Sequence, residues 1–252
     1  MHVVAITAEP ADRAAGERAA ADVIGRTLYE VRQLVSPPLP RAVMSTNDGA
    51  GAEAAATTLA AAGWGVTTID GDALPSPTIA RSLGFATDGL VVTDEHGREQ
   101  RVPYSICRLL LIGVRTTDTA TTETKQQRKF SASRALMTGG LSVRKKVKSE
   151  HTVRHSDSRS FARLVIDGSP SIELRDDRLQ FQALGEHLQP TRIANWATTL
   201  DLLRRHAPTM TVDERLRQRV GWSRLLPPAF DPERHGEIAI AVLRAGLLPP
   251  TR

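Results

Sequence analysis

Between Arg26 and Asp70 the apolar positions fall at helical spacing, then alternate, then repeat both patterns, with a stop signal at each change. Thr27-Leu28-Tyr29-Glu30 spells a capping box: the threonine hydroxyl accepts from an early helix N–H, and the glutamate reaches back to the cap. Leu28, Val31, Leu34 and Val35 then share one face, and Pro37-Pro38 ends the helix. Upstream, residues 3–8 read as a strand and 14–25 as an alanine-rich helix with Ala20, Val23 and Ile24 at helical spacing. Downstream come a strand over 41–45, a helix over 52–62 capped by Asn47-Asp48 and ended at Gly63, and a strand over 66–69. This order predicts a three-stranded antiparallel sheet covered by helices on one face, able to fold alone as residues 1–72.

Past the Pro- and Asp-punctuated stretch 71–77 the period shortens to two. Runs over 90–93 and 100–104 flank Glu95-His96-Gly97-Arg98, a hairpin whose glycine supplies the left-handed position. Further strands are expected over 109–114, 161–166, 172–175 and 179–183, with turns at Asp167-Gly168 and Asp176-Asp177. A helix from Thr191 places Ile193, Trp196, Leu200 and Leu203 on one face, with Asn195 a solvated neighbour. After Ala207-Pro208, residues 213–220 read as a short charged helix, and Asp231-Pro232 opens a last one with Val242 and Leu243 on its apolar side. Trp222, Leu225, Leu226 and Phe230 are expected to staple this tail to the rest. The fold class is therefore α+β: a small three-stranded α/β sandwich, a mainly antiparallel β domain closed by a helix, and a short helical tail. Their boundaries fall at 1–72, 80–206 and 207–252.

Two parts of the chain resemble known scaffolds. Residues 28–35, the prolines after them, Ala52-Glu53-Ala54, Leu59 through Gly63, and Val66 are together similar to the C-terminal domain of the bacterial ribosomal stalk protein. That fold is shared with the adaptor of the Clp protease. The resemblance covers 1–70 and implies a small α+β scaffold. In the stalk family helix lysines recruit translation factors; here those positions are Tyr29 and Arg32. The adaptor lines its peptide pocket with acidic and histidine residues, whereas no histidine falls between His2 and His96. The resemblance thus implies architecture more than activity. Residues 80–206 resemble a pleckstrin-homology-like domain in element order, six short strands closed by one amphipathic helix.

Charge changes the picture more than composition does. Residues 1–70 carry five basic against eight acidic side chains, whereas 116–160 carry ten against four, an excess larger than the +5 of the whole chain. A gap near 45 residues exceeds an ordinary hairpin loop, so 116–160 is read as a basic insertion, a mobile arm. Its Lys125, Arg128, Lys129, Arg134, Arg144, Lys145, Lys146 and Lys148 are the candidate contacts for an acidic partner, whether protein, anionic lipid or nucleic acid. Phe130 is the one aromatic among them, which provides poorly for base stacking.

Catalytic patterns are sparse. Gly139-Gly140 with Lys145 lacks the glycine before lysine that a phosphate loop needs, and Asp176-Asp177 is explained by turn propensity. His151 and His155 are four apart but lack an assured third ligand. Ser131 and Ser133 follow Arg128-Lys129, a context some kinases favour. The single Cys107 lies in an apolar run, which predicts a buried thiol and suits a reducing compartment. Without a membrane-length apolar run or a leader pattern, a cytoplasmic, non-catalytic interaction protein with no cofactor is expected.

Overall fold

The computed structural model describes residues 1–36, 38–130, 144–226 and 230–248, with 117–130, 144–156, 232 and 233 as backbone alone. The chain is α+β and divides into two compact units, one comprising Met1–Arg115 with Arg159–Arg252 and the other Thr116–Ser158.

The first unit begins with β1 (His2–Ala8), α1 (Arg13–Ile24), α2 (Leu28–Leu34), β2 (Arg41–Thr46), α3 (Gly49–Ala61) and β3 (Gly65–Asp70). The caps follow from the local sequence. Asp12 accepts from Ala15 N–H at 3.0 Å, Asp48 accepts from Ala50 N–H at 3.1 Å, and the Thr27–Glu30 capping box closes in both directions. The strands form an antiparallel sheet in the order β2-β1-β3. Alternation along β1 sends Val4 and Ile6 to a core with Val31, Leu34, Ala52 and Leu59 of the helices.

The expected open face does not exist. Val3 and Ala5 of β1, with Ala42 and Ile69, enter a second core instead, so β1 is fully buried from Val3 to Ile6. That second core is supplied by the far end of the chain, where α5 (Arg219–Leu225) and α6 (Pro232–Leu247) place Trp222, Leu225, Ile238, Val242 and Leu243. The apolar connector group thus does staple the tail, and the Trp222 indole N–H donates to Leu216 C=O at 2.9 Å.

A larger sheet of seven strands runs β10-β7-β8-β9-β4-β5-β6. Its members are β4 (Thr78–Phe85), β5 (Gly89–Asp94), β6 (Glu99–Pro103), β7 (Cys107–Phe130), β8 (Arg144–Ile166), β9 (Ile172–Arg175) and β10 (Thr211–Asp213). The β5–β6 hairpin is turned by Gly97 at φ 78°, while the Asp94 carboxylate accepts from the N–H groups of His96 and Arg98, both at 2.8 Å. Parallel pairs join β4 to β9 and β10 to β7.

Two sequence expectations are corrected here, and one strand is added. Residues 179–183 form no strand: Leu179 is buried and a 3-10 helix over Phe181–His187 puts Phe181 and Leu184, three apart, on the buried side. The strand taken in its place is β4, hidden in the sequence by the proline-rich run before it. Residues 213–220 are not one helix but β10, a short 3-10 turn at Arg215–Arg217 and the start of α5.

The sheet's inner faces separate by parity. Leu110, Ile112, Ala162, Leu164, Ile172 and Leu174 pack with Trp196, Leu200 and Leu203 of α4 (Arg192–His206). Thr191 caps this helix, but the face is rotated from the expected one: Ile193 is 84% exposed, whereas Asn195 is buried and clasps the Gln189 backbone N–H and C=O at 2.6 and 2.9 Å. The neighbouring positions Leu109, Leu111, Phe161 and Val165 face the second core, with α6. Gly113 sits where a Cβ would lie 2.4 Å from the Phe161 ring, so a side chain there would displace the phenylalanine.

Because α6 covers the second face of the small sheet, residues 1–72 alone would expose Val3, Ala5, Ala42 and Ile69. We expect that fragment to give a collapsed amide spectrum and to bind a hydrophobic dye, unlike the full chain. A dispersed spectrum with no dye binding would show that the sheet needs no cover.

Candidate functional site

The basic residues singled out in the sequence lie on long strands. Lys125, Arg128 and Lys129 belong to β7, and Arg144, Lys145, Lys146 and Lys148 to β8; Arg134 lies outside the described residues, as do Ser131, Ser133, Gly139 and Gly140. The backbone of 116–130 and 144–158 is extended strand. Six threonines between Thr116 and Thr124 account for this locally, because β-branched side chains favour the pleated conformation. At the two ends of this unit the Thr116 and Ser158 hydroxyls stand 3.3 Å apart.

In the first unit, parity along β8 and β9 produces an arrangement the sequence reading missed. Arg163 and Glu173 are direct cross-strand partners and share the face that carries Phe161 and Val165. Arg163 is 2% exposed and Glu173 wholly buried. Glu173 accepts from Arg163, from Arg175 at 2.5 Å and from Arg115 at 3.1 Å. Arg115 and Arg163 each also donate to Glu237 of α6 at 2.8 Å, and the Arg115 guanidinium lies 4.9 Å from the centre of the Phe161 ring. The β sheet and the C-terminal helix are thus joined by three arginines and two glutamates.

This network is structural chemistry. Burial pushes the Glu173 carboxyl up, but Arg163, Arg115 and Arg175 outweigh it and hold the group below the ordinary carboxylate range. Its oxygens are occupied by guanidinium donors, so it is not placed to accept a substrate proton. Cys107 is buried, and desolvation pushes its thiol up to about 11, which leaves it a poor nucleophile at neutral pH. Among the described residues no cluster of three or more His, Cys, Asp or Glu is positioned to hold a metal ion, and no helix is long and apolar enough to cross a membrane.

Comparison of the chain with family models, with curated proteins and with solved structures finds no match in any of the three.

The one sequence signal for the network is Ile172-Glu173-Leu174-Arg175, where two charges alternate with apolar residues in a short strand. In a sheet covered on one side that pattern puts Glu173 in water; covering both sides buries it.

Glu173→Gln would leave Arg163 buried beside a neutral amide. We expect a loss of about 3–5 kcal/mol in urea unfolding, the usual cost of breaking a buried ion pair from one side. The sign with pH follows from the lowered carboxyl. Its stabilisation is complete above the unfolded value of about 4.3 and is lost as pH falls through the folded value. The acid limb of the stability curve should therefore be flatter in Glu173→Gln than in the parent, and parallel limbs would contradict this.

Proposed function

We propose that the chain is a non-catalytic interaction protein, acting in the cytoplasm, whose Thr116–Ser158 unit binds an acidic partner. The observation that carries this reading is the coincidence of the charge excess with a compact unit of its own. Nine of the 33 lysines and arginines fall between Thr116 and Ser158, against four acidic residues. Elsewhere acids and bases nearly balance, and the arginines of the buried network meet glutamates. An excess of cations over anions in one unit favours polyanions through counterion release and long-range attraction. The contacts are Lys125, Arg128, Lys129, Arg134, Arg144, Lys145, Lys146 and Lys148.

The arrangement of extended strands supplies backbone and charge but few rings for stacking, so recognition by charge and shape is favoured over base readout.

Fluorescence anisotropy with duplex DNA, structured RNA, an acidic peptide and anionic vesicles, each at several salt concentrations, tests the proposal. We expect at least one to bind with affinity falling steeply with salt. Replacing Arg144, Lys145, Lys146 and Lys148 by Gln should weaken that binding and, on duplex DNA, reduce the salt slope by about 0.9 per lost phosphate contact. Stability should change by less than about 0.5 kcal/mol, as for most solvated surface charges. Absence of binding to all four at low salt, or equal binding by the variant, would overturn the proposal.

A further inference from the structure

Charge is segregated along the Thr116–Ser158 unit. Between Lys125 and Lys148 the chain holds eight lysines and arginines and no acidic residue. The flanking stretches 116–124 and 149–158 hold the reverse, Asp118, Glu123, Glu150 and Asp157 against Arg154 alone. A polyanion is therefore attracted to the stretch from Lys125 to Lys148 and repelled from those that flank it.

The cationic stretch begins and ends on paired strands. β7 runs to Phe130, β8 starts at Arg144, and the two are hydrogen-bonded neighbours. Successive residues of a strand fall on opposite faces. Lys125 and Lys129 thus share one face of β7 and Arg128 takes the other. Along β8, Lys145 takes one face and Arg144, Lys146 and Lys148 the other. Each strand therefore offers cations to both sides of the ribbon. A flat anionic surface such as a bilayer meets one side and leaves the cations of the other in water. Phe130 and Val147 are the only apolar residues in 125–130 and 144–148, which gives a bilayer little to bury. A groove, with phosphates along both walls, answers both sides at once.

Dimensions select the groove. Paired strands stand about 4.8 Å apart, and the major groove of B-form DNA, about 12 Å wide, admits a two-stranded ribbon. The major groove of A-form RNA is too deep and narrow for side chains to read. Bases in a duplex stack on one another, so a ribbon with the single ring of Phe130 loses nothing there, whereas on a single strand it would.

Building on the reading that the Thr116–Ser158 unit meets an acidic partner, we infer that the partner is duplex DNA, its major groove receiving residues 125–130 of β7 and 144–148 of β8. Phosphates of the two walls take the cations of the two faces.

Single substitutions on opposite faces test this in the full chain, by anisotropy with a DNA duplex, an RNA duplex of the same sequence, an acidic peptide and anionic vesicles across a salt series. Arg128→Gln and Lys129→Gln on β7, and Lys145→Gln and Lys146→Gln on β8, should each reduce the salt slope on the DNA duplex by about 0.9. Lys145→Arg and Lys146→Arg, which keep the charge, should keep the slope. The RNA duplex should bind more weakly than the DNA duplex at every salt concentration. A loss from only one member of each pair, a loss in the arginine variants, or RNA bound as tightly as DNA would overturn the inference. Binding to peptide or vesicles without binding to DNA would overturn it and leave the acidic-partner reading standing; no binding to any of the four at low salt would overturn both.

Discussion

Helix α6 buries Ile238, Val242 and Leu243 in a core to which each sheet gives one face, Val3, Ala5, Ala42 and Ile69 from the small sheet and Leu109, Leu111, Phe161 and Val165 from the large one. Apart from the two alanines, each of these side chains is worth roughly 1.5–3 kcal/mol when fully removed from water, so neither sheet is complete without the helix. Chain order makes the constraint stringent. Residues near the C-terminus finish a core begun by Val3, which ties the first strand to the last helix. Contacts of such sequence separation are slow to form and tend to be made late.

Polar chemistry follows from that arrangement. The face of β8 and β9 that receives α6 also carries Arg163 and Glu173, and covering it removes both from water. Desolvation of this size is tolerated where every charge meets an opposite one, which Arg115, Arg175 and Glu237 provide. Within this buried network, charge is spent on the fold.

The local elements were largely legible in the sequence because their determinants are local. The Thr27–Glu30 box, the Asp48 and Thr191 caps, and Gly97 each involve residues within four positions of one another. What stayed hidden depends on partners far along the chain. Asn195 reads as a surface residue until the Gln189 backbone is placed against it, and Ile193 reads as core until the helix is rotated by that contact. Glu173 reads as solvated until α6 arrives from 64 residues downstream, at Glu237. Strand β4 is masked by the prolines before it, and the threonine run of β7 gives no strand signal of alternating apolar residues because its apolar content is low. The basic excess needs no structure to be seen.

If both sheets depend on α6, they must open together. Native-state hydrogen exchange on the full chain, comparing the parent with Leu243→Ala, measures this most directly. Leu243 is completely buried, and its truncation should cost about 2–5 kcal/mol. The account predicts that amides of Val3–Ile6 in β1 and of Leu164 and Leu174 in β8 and β9 lose protection by the same amount. Loss confined to one sheet, with the other keeping its full protection, would contradict it.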